Sequence, residues 1–374
     1  MSKIKRKKIA VLVSGGVDSA VALALLKKEG HDVTAFYLKI WLEDELAHLG
    51  SCPWEEDLAM VHAVCEKVGA PLQIVSLQQE YWDEVVRYTV EEIRHGHTPN
   101  PDMLCNQRVK FGKFYDKIDA SFEKVATGHY AGVEEKGGKF WLKRSPDPIK
   151  DQTYFLSYLS QKQLGRAAFP LCPYTKKEVR ELAHDMDLPN QARKDSQGIC
   201  FLGKIPFSEF VKHHLGEKTG DLIEMETGKK IGEHQGFWYY TIGQRHGLDL
   251  SGGPWFVAQK DIKKNIVYIS KNYHSEDKKR DHCAVRDFNW IGYEPQLNTP
   301  LSLKAKMRHG ERFYDATATF SDLKTGTIKL NASDQGLAPG QFAALYDGEY
   351  CVGSGVQTPR MERSEMRSPA FSPA

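Results

Sequence analysis

The sequence lacks most features that would exclude a globular, intracellular enzyme. Its seven cysteines (52, 65, 105, 172, 200, 283 and 351) are odd in number and scattered, with no CxxC pair. That pattern argues against a disulfide scaffold and against a tetrahedral zinc site, so thiol chemistry would fall to individual cysteines. No dedicated protein metal cage is legible. No window approaches the roughly 18 apolar residues of a membrane span. The basic run Lys3 to Lys8 looks like the start of an export signal, but the apolar stretch after it, Ile9 to Val13, is interrupted by Ser14-Gly15-Gly16. These absences lead us to expect a soluble, cytoplasmic protein with no membrane partner. Large net charge is also missing: a formal +2 neither demands nor excludes nucleic acid, because a basic face can hide in a balanced total. There are no internal repeats.

What remains is 374 residues, 41% hydrophobic and 27% charged, enough for two or three domains with substantial cores. The first half alternates apolar strand-like runs with helical patterns, the mark of a doubly wound parallel-sheet α/β domain. Strands are expected at 8–13, 31–38, 72–75 and 125–128, and helices at 19–29, 55–68, 78–94, 153–159 and 176–186. From about Ile205 the chain turns Gly-rich, aromatic and alternating, which predicts a small β-rich middle domain. Short alternating runs beyond about Glu276 predict a sandwich or barrel. The expected division is 1–204, 205–275 and 276–356, with 357–374 as a disordered tail.

The first strand runs into Ser14-Gly15-Gly16-Val17-Asp18-Ser19 and then into a helix. Backbone N–H groups and a helix N-terminus presented together make a phosphate cradle that needs no cationic side chain. It is not the kinase-type loop, because no Lys-Ser/Thr follows the glycines, and GxGxxG does not occur. A lone SGG would read as a tight turn with a helix cap; the full motif directly after the first strand favours phosphate.

In TPNPDMLCNQRVKF, residues 98–111, Asn100 is a candidate N-cap and Pro101 suits the first helical position. Cys105 then sits about one turn into a helix expected to run to about Ile118. The helix N-terminus, Arg108 and Lys110 should favour its thiolate, and Asp102 shares its face as a proton carrier. A half-buried structural cysteine is the plainer reading. A third stretch, KDSQGICFLG at 194–203, puts Cys200 on a Gly-flanked segment. Two such thiols suffice to carry a sulfur atom as a persulfide and release it by thiol exchange.

SGGxDS after a first strand resembles the pyrophosphate-loop ATPases, which cleave ATP between the α and β phosphates and transfer AMP to a substrate oxygen. Together with TPNPDMLCNQRVKF, ATGHYAG, KDQTYFL, SQGICFLG and GEHQGFWYYTIGQRHGL, over about residues 8–356, the chain resembles the tRNA-specific 2-thiouridylases. The resemblance implies replacement of the 2-oxygen of the wobble uridine in tRNAs for Lys, Glu and Gln by sulfur. It implies ATP, with Mg²⁺, at Leu12, Val13, Ser14, Gly15, Gly16, Val17, Asp18 and Ser19, with Leu38 and Gly128 on the adenosine side. Asn100, Pro101 and Asp102 would surround the flipped-out uridine, since a stacked base hides the atom under attack. Cys200 would carry the persulfide, loaded by an upstream persulfide-relay protein, with Cys105 as its partner thiol. Which step each thiol performs stays open. Lys150, Asp151 and Gln152, and Arg308 with His309, match tRNA-contacting segments; the family usually has Tyr where His309 stands. The barrel and middle domain would grip the anticodon arm through shape and phosphate contacts.

The remaining cysteines are expected to be structural. His129 suits a capping role as well as a nucleotide neighbour, and Gln244 and Arg245 suit a turn as well as an RNA contact. The rivals are an enzyme of the same class using an amine nucleophile, which would leave Cys105 and Cys200 idle, and a nucleotide-binding protein without catalysis.

Overall fold

The computed structural model describes residues 5–40, 54–194, 205–275 and 280–358. Its first sheet is parallel, in the order β3-β2-β1-β4-β7: β1 is Lys8–Leu12, β2 Asp32–Lys39, β3 Leu72–Ser76, β4 Lys124–Ala126 and β7 Ala167–Ala168. Chain order reverses across β1, with β2 on one side and β4 on the other, so the crevice at the C-terminal ends of β1 and β4 is the topological switch point. Helix α1 (Val17–Lys28) leaves β1 there. It is buried from Ser19 to Leu26, and its basic residues Lys27 and Lys28 come only at the end. The run SAVALALL therefore reads as a central helix packed on every side, here by the sheet, α2 (Trp54–Val68) and, later in the chain, Lys176–Asp185.

Residues 78–94, expected as one helix, form α3 (Gln78–Tyr81), a π-helical turn (Trp82–Val86) and α4 (Arg87–Arg94). The helix expected from Pro101 to about Ile118 is shorter than its pattern. It comprises α5 (Pro101–Leu104), a π-helical segment (Cys105–Lys110) and a 3₁₀ turn (Lys113–Lys117). Gly112 ends the wider coil, where a Cβ would lie 2.1 Å from the Arg108 carbonyl oxygen.

The hairpin of β5 (Ala131–Lys136) and β6 (Lys139–Arg144) was not anticipated. Its two-residue turn, Gly137-Gly138, has both φ values positive, as a type I′ hairpin requires. This hairpin does not join the parallel sheet. It joins β17 (Tyr350–Thr358) of the C-terminal barrel through Tyr350↔Lys143 and Cys351↔Leu142. Further along, β17 pairs with β12 (His282–Trp290), closing a six-stranded barrel β12-β15-β14-β13-β16-β17. The change of partner falls at Gly353, whose φ is +141° and where a Cβ would meet the Asn289 carbonyl oxygen at 2.1 Å. The other barrel strands are β13 (Leu301–Lys306), β14 (Tyr314–Phe320), β15 (Gly326–Leu330) and β16 (Phe342–Asp347).

Between the hairpin and the barrel in sequence lie α6 (Thr153–Leu156), α7 (Gln161–Arg166), α8 (Lys176–Asp185), α9 (Phe207–Leu215) and a small sheet of β8 (Gly220–Glu224), β9 (Lys230–His234), β10 (Phe256–Asp261) and β11 (Ile266–Ser270), in the order β10-β11-β8-β9. Phe210 and Val211 of α9 enter the same core as Cys105, Tyr81 and Phe342, so one core is shared by segments far apart in sequence. The expected tail begins too early: Gln357 and Thr358 belong to β17, paired with Val285 and Ala284, and Gln357 is buried. The barrel needs their backbone groups to complete its closing ladder. Residues 359–374 lie outside the described residues.

Candidate functional site

Ser19 holds the loop after β1: its hydroxyl donates to the Gly16 carbonyl at 3.0 Å and accepts from the Ser14 N–H at 3.2 Å. Gly16, the N-cap of α1, supplies no side chain to satisfy the first-turn N–H groups, which stay available to an anion. Gly15 has φ +78°. Its carbonyl accepts from Asn190 Nδ2 at 2.9 Å and from an Arg193 guanidinium nitrogen at 3.1 Å. Arg193 also pairs with Asp57. On the other side of the loop, Asp18 Oδ1 accepts from the Tyr130 hydroxyl at 2.9 Å and from Lys176 Nζ at 2.7 Å. Gly128 closes the crevice; a Cβ there would lie 2.7 Å from the Asp18 carbonyl carbon and the Ser19 nitrogen. Leu38 stands at the C-terminal end of β2, beside β1. Lys176, Asn190 and Arg193 were invisible to motif reading because they arrive from more than 150 residues downstream.

Beyond Gly128, His129 Nδ1 bonds the Thr127 hydroxyl at 2.7 Å, and burial pushes its pKa down to about 3, with Lys110 acting in the same direction. Lys110 also acts electrostatically on Cys105. Asn100 caps α5 as expected, its Oδ1 accepting from Met103 N–H at 3.4 Å, with Pro101 in the first position. Cys105 is 1% exposed, and its thiol pKa is pushed up. Burial is the largest cause. Lys110 opposes it, Asp102 adds to it, and the neighbouring Tyr81 side chain opposes it. This corrects the expectation of a favoured thiolate. The helix N-terminus spans only four residues, and Arg108 is turned away, donating to the Glu84 carbonyl at 3.0 Å and lying against Tyr88. Desolvation therefore decides.

The segments expected to meet RNA converge on this point. The His309 ring lies 4.5 Å from the Phe155 ring, and Lys306, Asp151, Asp102 and Lys150 all act on its charge. Burial lowers its pKa. Arg308 is half-exposed and pairs with Asp334 at 3.2 Å. The Lys150 backbone N–H is held by Asp147 at 3.0 Å, and Gln152 Oε1 accepts from the Tyr130 N–H at 3.0 Å, tying this segment to the loop crevice. Asp151 differs from expectation. Its side chain is wholly buried between Arg144 at 3.2 Å and Lys306 at 3.5 Å, which makes it a strut between hairpin and barrel with no surface for RNA. Cys200 lies outside the described residues, as does Cys52.

Three family models match the chain in succession: a tRNA methyl transferase HUP domain over residues 7–204, a tRNA methyl transferase PRC-barrel domain over 208–271 and an aminomethyltransferase beta-barrel domain over 280–356. Curated relatives carry a different activity in their names. A tRNA-specific 2-thiouridylase, MnmA, of Parabacteroides distasonis is 45% identical over 353 residues, covering 93% of this chain and 98% of the relative. Another, MnmA 2 of Bacteroides fragilis, is 45% identical over 362 residues, covering 93% and 99%. Among solved structures, an NMN synthetase from Francisella tularensis aligns at 18% identity over 55% of this chain and 72% of that one, with a TM-score of 0.33, too loose a likeness to assign chemistry.

Proposed function

Because this chain belongs to the tRNA-specific 2-thiouridylase family, a group of tRNA sulfurtransferases, we propose that it thiolates the wobble uridine of tRNAs for Lys, Glu and Gln at the expense of ATP. The observation that supports this reading is the way the phosphate loop and the buried thiol are tied together: Gly128 closes on the loop backbone, Lys110 acts on both His129 and Cys105, and Asp102 acts on both Cys105 and His309.

The uncapped first turn of α1 and the loop from Leu12 to Ser19 suit a polyphosphate. The carboxylate of Asp18 is a hard oxygen donor suited to Mg²⁺, which would neutralise phosphate charge. Leu38 and Gly128 are the candidates for the adenosine side. The uridine, flipped between Asn100–Asp102 and the Phe155–His309 pair, would present its 2-oxygen to the α-phosphorus. Attack there breaks the α–β bridge, pyrophosphate leaves, and the 2-oxygen becomes part of a good leaving group.

The terminal sulfur of a Cys200 persulfide then forms the C2–S bond as AMP departs with the old oxygen. The Cys105 thiolate, its proton passed to Asp102, attacks the Cys200 sulfur and breaks the S–S bond, leaving thiouridine and a Cys105–Cys200 disulfide for an external dithiol to reduce. A raised thiol pKa fits a group kept protonated until substrate arrives. Lys150, Gln152, Arg308 and His309 are the proposed RNA contacts, the upstream persulfide-relay protein is the proposed donor, and the cytoplasm is the proposed compartment.

Nucleoside mass spectrometry on unmodified tRNA incubated with the protein, ATP, Mg²⁺ and a persulfide donor tests this. Thiouridine at the wobble position should require ATP and vanish in Cys105→Ser and Cys200→Ser. Pyrophosphate release without thiouridine, unchanged by either substitution, would overturn the sulfur chemistry.

A further inference from the structure

Among the described residues, two cations beside the phosphate loop are engaged with carboxylates: Lys176 with Asp18, and Arg193 with Asp57. Lys176 is not needed to start its own helix. Thr175 caps α8 with a full capping box to Glu178, and the Lys176 backbone N–H is fixed by Asp147 at 2.8 Å. The helix thus anchors the base of the side chain while its amine crosses to the first turn of α1. There it meets Asp18, the one acidic residue of that turn, at 2.7 Å, with 15% of the lysine side chain and 32% of the aspartate side chain exposed. The same Asp18 oxygen also accepts from Tyr130, so the carboxylate keeps a partner if the lysine leaves. On the opposite side, Arg193 reaches over Gly15 so closely that a Cβ there would lie 2.7 Å from its guanidinium. A loop of backbone N–H groups supplies only partial charges, whereas a departing pyrophosphate is a polyanion that the two flanking cations would neutralise.

We propose that Lys176 and Arg193 form a two-sided pyrophosphate clamp. Lys176 exchanges Asp18 for the β- and γ-phosphates when ATP enters, and Arg193 holds the other side of the leaving group. The exchange frees an Asp18 oxygen for the divalent ion that accompanies the nucleotide. No bond is made or broken by the lysine; it is a positioning group whose charge is used twice. This inference rests on the ATP-cleaving reading above and adds the residues that hold its product.

Calorimetric titration of the full chain with pyrophosphate, and separately with ATP and Mg²⁺, tests the clamp. Lys176→Met should weaken pyrophosphate binding by about 10- to 100-fold, as loss of a charged hydrogen-bonding partner does, and Lys176→Arg should recover most of it. Arg193→Met should show a loss of the same kind and carries the test if Lys176→Met does not fold. A purely structural Lys176–Asp18 tie predicts a lower melting temperature with pyrophosphate affinity intact, and that result would overturn the clamp alone. Wild-type protein that binds neither ATP nor pyrophosphate would overturn the ATP reading and the clamp together.

Discussion

The proposed sulfur chemistry turns on Cys105, whose environment depends on neighbours that do not adjoin it in sequence. Ser14 to Ser19 could be read directly because the six residues act together and are contiguous. Cys105 could be located but not characterised. The core that buries it is assembled from segments far apart in sequence, among them those of Tyr81, Tyr154 and Phe169, and its nearest cation by sequence, Arg108, points elsewhere. A thiol held above its ordinary value ionises only at higher pH, so its reactivity should be displaced to the alkaline side. In tRNA-free protein, iodoacetamide labelling of the Cys105 peptide, followed by mass spectrometry across pH, should be slower at neutral pH than for a free peptide thiol. Its midpoint should lie above the ordinary value of 9.0. A midpoint near neutrality would mean that burial does not control the thiol. The same logic explains Asp151: its place in the KDQTYFL motif suggested an RNA contact, but Arg144 and Lys306, supplied by the hairpin and the barrel, bury it.

At the level of elements, the strand-loop-helix unit was legible because each part obeys a local rule: an apolar strand, a small-residue loop, and a helix too apolar to lie at the surface. Gly128 belongs to the same unit although it lies more than 100 residues away. Replacing it with Ala places a methyl 2.7 Å from the backbone of Asp18 and Ser19, atoms that cannot swing aside as a flexible side chain would. Gly128→Ala should therefore displace the loop and weaken ATP binding by about tenfold or more, while the parallel sheet persists in circular dichroism. Unaltered ATP affinity would show that this close approach is not part of the nucleotide site. The π-helical segments escaped prediction, since periodicity alone does not distinguish a wide turn from an α-helical one. The β5–β6 hairpin did carry a signal, Gly137-Gly138 between alternating residues, but its attachment to a strand more than 200 residues away carried none.

On the scale of the whole molecule, β17 pairs with the hairpin at one end and closes the barrel at the other, so the barrel is joined through one continuous ladder to the hairpin that follows Tyr130. That seam, reinforced by Asp151 between Arg144 and Lys306, sets His309 beside Phe155 and within electrostatic reach of Asp102. Holding the proposed RNA contacts rigidly near the proposed reaction centre is how a scaffold would turn binding into orientation. The order of the parts was legible from composition and alternation, whereas their union into one body was not, because it rests on long-range pairing. The central claim is that the loop releases pyrophosphate while the uridine 2-oxygen leaves on AMP. Its most direct test is tRNA carrying ¹⁸O at the 2-oxygen of the wobble uridine, turned over with ATP and a persulfide donor, followed by mass spectrometry of the nucleotide products. The account predicts that the label appears in AMP. Label released into water, or found in pyrophosphate, would contradict it.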